Sequence, residues 1–133
     1  MSIFRYPLQV GSQDGGEFQT VEALVDTGAT FSVVPSPVLE RLGVEPIETV
    51  SFRIANNALI ERSIGKTLVR IEGKTFSTIV VFGDEDATPL LGVYALERAL
   101  LAVDPVGQRL VHTEALMMQT VAWPAIDPVL EWA

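Results

Sequence analysis

The 133 residues, 48 % hydrophobic and 20 % charged, describe one soluble globular domain with room for a single buried core. A net charge of −8 with no basic cluster argues against nucleic acid and anionic membrane as partners, and no apolar run approaches the roughly 18 residues of a membrane helix. The lack of cysteine excludes a disulfide framework and thiolate metal sites, and a single histidine, His112, argues against a Ser-His-Asp triad or a multi-histidine metal centre.

In chain order, MSIFRYPLQVG carries one arginine and no long apolar stretch, so no secretory signal is expected and a cytoplasmic protein is. Residues 4–10 form an extended segment that Pro7 should confine to a sheet edge. GSQDGG (11–16) is a loop, and residues 17–25 return as the second strand of a hairpin. Ser36 as N-cap and Pro37 at the first helical position open a short helix with Val38, Leu39 and Leu42 on its apolar side, ended by Gly43. Two hairpins follow. Residues 51–55 and 58–64 flank Asn56-Asn57, and residues 67–71 and 75–82 flank Glu72-Gly73. GDEDATP (83–89) is an acidic loop, and Leu90-Leu91-Gly92 leads into VYALERALL, apolar at helical spacing. Residues 101–103 and 109–112 bracket the turn Asp104-Pro105-Val106-Gly107, with proline second and glycine fourth. Many short strands with closely spaced turns predict a compact barrel or sandwich.

The stretch ALVDTGATFSVVP (23–35) stands out. A surface turn explains Asp-Thr-Gly alone, but not the apolar residues crowding it, Ala23, Leu24 and Val25 before and Phe31, Val33 and Val34 after.

Leu24-Val25-Asp26-Thr27-Gly28-Ala29 resembles the active-site loop of the aspartic peptidases, in which two apolar residues precede Asp-Thr-Gly and a small one follows. Leu90-Leu91-Gly92 and the helix after it resemble the apolar pair plus glycine that packs on that loop in the family. LLAVDPVGQRLV resembles the family's terminal hairpin. The three elements stand in family order and cover residues 3–113. Asp-Thr-Gly occurs once, whereas a pepsin chain carries two lobes; Asp14, Asp84, Asp86, Asp104 and Asp127 all lack the following Thr-Gly or Ser-Gly. The chain thus resembles a retropepsin-like, clan AA single-lobe aspartic peptidase of the prokaryotic type. That implies a mainly β, closed-barrel acid-protease fold with one or two short helices, a peptidase domain over 1–113 and a C-terminal arm over 114–133.

The resemblance also implies roles. Asp26 is the catalytic carboxylate, paired with Asp26 of a second copy in a homodimer. Thr27, Gly28 and Ala29 complete the loop, and Thr30 stands where viral relatives often carry another aspartate. Asn56 and Asn57 fall where a flap would cover a peptide, although a plain surface hairpin explains them too. Ala87, Thr88 and Leu90 fall where relatives line substrate pockets, Leu91 and Gly92 support the loop, and Asp84, Glu85 and Asp86 read as solvated charges. His112 reads as structural. The implied partner is a peptide or protein substrate, with no cofactor and no metal. In the arm, residues 115–121 suit a strand of the dimer interface. The alternative to an aspartic endopeptidase is a non-catalytic or latent module of the same fold that binds peptide or dimerises.

Overall fold

The computed structural model of the chain describes residues 4–115; the expected arm, apart from its first two residues, lies outside them. Nine strands and two helices follow in order: β1 Arg5–Gly11, β2 Phe18–Val25, β3 Ser32–Pro35, α1 Ser36–Arg41, β4 Pro46–Arg53, β5 Leu59–Ile71, β6 Lys74–Gly83, β7 Leu90–Leu91, α2 Val93–Arg98, β8 Leu101–Asp104 and β9 Arg109–His112. Seven strands form one sheet in the order β1-β2-β7-β3-β6-β5-β4. A further β1–β5 pairing returns the sheet on itself as a ring, while β8 and β9 form a separate hairpin. The mainly β, ring-closed architecture with two short helices is the expected one.

Alternation along the strands sends one set of side chains into the ring. Leu8, Val10, Ala23, Val25, Val34, Val69, Ile71, Val80 and Leu91 are buried there together. At about 1.5–3 kcal/mol for each large apolar side chain taken out of water, this core dominates the favourable side of folding. The helices depend on it. Each has only six residues, too few to persist alone, and each is held by what it buries: Leu39 from α1, and Ala95 and Leu96 from α2.

Several details differ from the sequence expectation. Pro7 is not on a sheet edge, since β1 lies between β2 and β5; but β5 pairs only at Gln9 and Val10, so Pro7 meets an unpaired flank. Ser36 is the first helical residue of α1 and not its N-cap. Pro35 holds the cap position in an extended conformation, because it still pairs with Gly83 in the sheet, and the Ser36 hydroxyl donates to the Gly83 carbonyl at 2.7 Å. Helix α2 stops at Arg98 because Leu100 turns left-handed at φ 59°, so Leu101 already opens β8. The segments expected as two strands, 58–64 and 67–71, are one 13-residue strand, β5, and β4 begins earlier than expected, at Pro46.

Turn chemistry closes the hairpins. Glu72 and Gly73 both take positive φ, 50° and 80°, the geometry that matches strand twist in a two-residue turn. The Tyr6 hydroxyl braces Glu72 by donating to its carboxylate and accepting its backbone N–H, and burial first, then that carboxylate bond, pushes the Tyr6 phenol up to about 12. In the 12–17 loop the Gly16 N–H, then the Ser12 hydroxyl, hold the Asp14 carboxyl below its usual range. At the β8–β9 turn the Gly107 N–H, then Arg109, do the same for Asp104. A lowered folded-state value stabilises above the ordinary carboxylate range and fades only as pH falls through the lowered value, so both turns persist into mild acid.

Gly65 lets β5 run through. A methyl group there would lie 2.9 Å from the Glu45 carbonyl oxygen and 3.0 Å from the Phe82 ring, beside the irregularity where Pro46 pairs with Gly65 and Glu48 with Ile64. A glycine inside a strand often marks such close backbone approach. Gly65→Ala should therefore destabilise the fold by about 1–3 kcal/mol through overpacking. Urea unfolding should show a lower midpoint at an unchanged slope.

Candidate active site

Strand β2 ends at Val25, buried in the core, and delivers Asp26 to the surface, where it is half-buried. The loop then folds back on the carboxylate. Gly28 N–H donates to Asp26 Oδ1 at 2.9 Å and Ala29 N–H donates to the Asp26 carbonyl at 3.1 Å. A side chain at Gly28 would stand 3.2 Å from that same Oδ1, so glycine is what leaves the approach open. Among the described residues Oδ2 takes no hydrogen bond, and no ion pair or hydrogen bond brings a second carboxylate to Asp26. Thr27, Gly28 and Thr30 are exposed around it.

The loop is fixed from beneath by the segment 89–94. Strand β7 is two residues long yet paired on both sides: Leu24 with Leu90 and Val25 with Leu91 in parallel, and Val33 with Leu90 antiparallel. The Asp26 N–H donates to the Leu91 carbonyl at 3.0 Å, and Leu24 N–H to the Pro89 carbonyl at 2.9 Å. Val93 N–H then reaches the Ala29 carbonyl at 2.9 Å and Tyr94 N–H the Thr30 carbonyl at 3.0 Å. Gly92 is required by contact, since a Cβ there would fall 2.7 Å from the backbone of Phe31 and 2.9 Å from the Ala29 carbonyl oxygen. Its N–H donates to the buried Ser32 hydroxyl at 3.0 Å.

The expected site residues thus fall into two groups. Asp26, Thr27, Gly28, Ala29, Thr30, Leu90, Leu91 and Gly92 form one bonded unit. Ala87 adjoins it: its N–H donates to the Asp84 carbonyl, and its methyl group packs near Gly83, while Thr88 is exposed. Asn56 and Asn57 lie at the exposed tip of the β4–β5 hairpin, whose loop runs over residues 54–58. Asn57 takes φ 71°, its carbonyl accepts from Arg53 at 2.8 Å, and Asn56 Oδ1 accepts Ala58 N–H at 3.0 Å. Among the described residues no hydrogen bond joins that tip to the 26–30 loop. Val34 is fully buried in the core, so Val33, half-buried and alternate to it, is the residue of this pair with any surface to offer. His112 is exposed at the end of β9, opposite Leu101.

Two features were not read from the sequence. Ser32 supplies the acceptor for Gly92, a role its place between apolar neighbours hints at only once the loop is known to fold back. The Phe31 ring contacts both Phe52 of β4 and Tyr94 of α2 edge-on, at centroid distances of 6.3 and 5.8 Å. A groove of about 440 Å³ lies away from Asp26, lined by Glu40, Glu61, Arg62, Phe82, Asp84 and Glu85 among others.

A lone carboxylate with one oxygen held by an amide and the other open accepts a proton or orients a water, and does no more by itself. The family model described as gag-polyprotein putative aspartyl protease matches residues 16–98. Among solved structures, the retroviral protease-like domain of Ddi1 from Leishmania major is 20 % identical at a TM-score of 0.54, covering 84 % of this chain and 89 % of that one. The simian foamy virus (mac) protease is 19 % identical at a TM-score of 0.49, covering 71 % and 94 %. A retropepsin-like aspartic protease from Rickettsia conorii is 22 % identical at a TM-score of 0.47, covering 77 % and 86 %. No curated protein matches the chain. The family match spans most of the chain and contains both the Asp26 loop and the Leu90-Leu91-Gly92 segment beneath it: the chain belongs to the gag-polyprotein aspartyl protease family, with a retropepsin-like fold.

Proposed function

We propose that the protein is an aspartic endopeptidase whose site is completed by a second copy of the chain, so that Asp26 serves twice across a two-fold axis. The observation that carries the reading is the Asp26 loop: a rigidly bonded Asp-Thr-Gly turn whose carboxylate keeps one oxygen open. The rest supports it. Thr27 and Gly28 are exposed, as residues awaiting a partner are, and the groove of about 440 Å³ lies elsewhere.

In the dimer two carboxylates come into contact. Like charges at that distance cannot both persist, so the pair holds one proton, the behaviour long established for aspartic-protease dyads. The ionised member takes a proton from water as it attacks the scissile carbonyl, and the protonated member donates to the carbonyl oxygen. The Gly28 amide keeps Asp26 Oδ1 in place throughout. The Thr27 hydroxyls bridge the two loops, the hairpin carrying Asn56 and Asn57 lies over the extended peptide, and Ala29, Thr30, Ala87, Thr88 and Leu90 line its path. Large apolar residues flank the bond that is cut.

Asp26→Asn tests the assignment directly. Asparagine keeps an oxygen to accept the Gly28 N–H but removes the base from both halves at once. Peptide cleavage should fall at least about a hundredfold, the scale of a lost general base, with the thermal melting temperature unchanged or raised. A variant that melts normally and still cuts removes Asp26 from the mechanism. A variant series that never cuts, wild type included, leaves the fold as a binding module.

Assembly has its own readout. One chain brings one carboxylate, so specific activity should rise with protein concentration and level off where sedimentation reports dimer. Full activity from a sedimenting monomer would contradict the two-copy site.

A further inference from the structure

The β4–β5 hairpin reaches outward with little to hold it. Strand β4 is at the end of the sheet order and, among the described residues, pairs only with β5. Of its eight residues only Val50 and Phe52 are half-buried, and every residue from Arg53 to Leu59 is exposed. The backbone ladder ties this hairpin to itself. Near its distal end Phe52 approaches Phe31 edge-on at 6.3 Å and 87°, and lower on the same hairpin Arg62 pairs with Asp84 at 3.1 Å.

Phe31 is an unusual partner for that contact, because its backbone belongs to the Asp26 loop. It follows Thr30, whose carbonyl accepts the Tyr94 N–H, and Gly92 packs so closely on its carbonyl group that no side chain fits between them. The Phe31 backbone therefore cannot shift without moving the 26–30 loop or breaking the seam below, and the ring is carried on that fixed backbone. Tyr94, at the start of α2, braces the other edge of the ring at 5.8 Å and 81°. The three rings make a continuous path from hairpin to loop to helix.

We infer that Phe31 and Phe52 are positioning residues, and that their contact couples the placement of the hairpin to the geometry of the Asp26–Thr30 loop. The inference rests on the proposed reading of that loop as reactive and of the hairpin as its cover, and it adds the residues that link the two. A peptide that moves the hairpin on entering or leaving then acts on the Asp26 loop through Phe31, without a backbone connection between them.

Hydrogen exchange on the intact protein tests the coupling without needing turnover. In Phe52→Ala, the amides of Ile54 and Asn57 in the hairpin and of Gly28 and Ala29 in the loop should all exchange about three- to tenfold faster, the scale of one lost aromatic pair. The core amides of Val69 and Val80 should not change. Phe52→Tyr should restore wild-type exchange. Phe52→Leu, which keeps most of the apolar volume but not the ring edge, should reproduce the alanine result; wild-type exchange in Phe52→Leu would overturn the role given to the ring contact. Adding Phe31→Leu to Phe52→Ala should accelerate the hairpin little further, since residues acting through one contact are not additive. Faster exchange in the hairpin with Gly28 and Ala29 unchanged would overturn the coupling, as would full additivity. Repeating the series in Asp26→Asn separates the two readings: the exchange pattern stands or falls there irrespective of whether Asp26 is the catalyst. With a cleavable peptide, Phe52→Ala should raise KM and lower kcat together, where a contact serving substrate binding alone would raise KM only.

Discussion

Everything around Asp26 depends on a two-residue strand. Leu90 and Leu91 insert between β2 and β3, the strands on either side of the Asp-Thr-Gly turn, and satisfy backbone groups on both. A buried N–H or C=O without a partner costs free energy on the scale of a lost hydrogen bond, so this insertion is what allows the chain to reverse direction at the edge of a packed core. Leu91 is wholly buried, and its carbonyl takes the Asp26 N–H. Gly92 follows because nothing larger fits against Phe31 and Ala29. Core packing below and the open carboxylate above are two faces of one constraint.

That constraint explains how much of the site could be read in advance. Leu24-Val25-Asp26-Thr27-Gly28-Ala29 and Leu90-Leu91-Gly92 are written in order in the sequence, and each residue has a local reason to be there: apolar side chains for the core, glycine for close approach. Turns were legible for similar reasons. Asn57, Glu72 and Gly73 accept positive φ, and Asp104 caps its own turn by accepting the Val106 and Gly107 amides.

What could not be read depends on residues distant in sequence. Residues 65–66 fell between the two expected hairpins, and what lets β5 run on through Gly65 lies at Glu45 and Phe82, distant in sequence. Ser36 looked like an N-cap because the signal is local, but the register of β3 with β6 extends the sheet through Pro35 and moves the cap back by one residue. Leu100 continued the helical apolar pattern, yet Ala99 already presents its carbonyl to Lys74 at 2.6 Å and the backbone turns. The Phe31–Phe52 contact spans the hairpin and the loop, and no periodicity announces it. Short-range rules carried the motif; tertiary register carried the rest.

The site joins rigidity to incompleteness. Five backbone hydrogen bonds hold residues 24–30 against segment 89–94 and within the turn itself, so the Asp26 carboxylate is oriented before any peptide arrives. Preorganisation of this kind is what makes a charged group effective in a reaction, since no reorganisation is needed at the moment charge develops. Yet an oriented carboxylate without a partner performs half of an acid–base step. On the proposed reading the two properties serve one end. The monomer keeps the loop in working geometry but has no second carboxylate, and a second copy supplies that group already oriented in the same way. Proteolysis is then governed by association of the chains rather than by refolding of the site, which suits a fold whose core and catalytic loop share a single seam of backbone bonds.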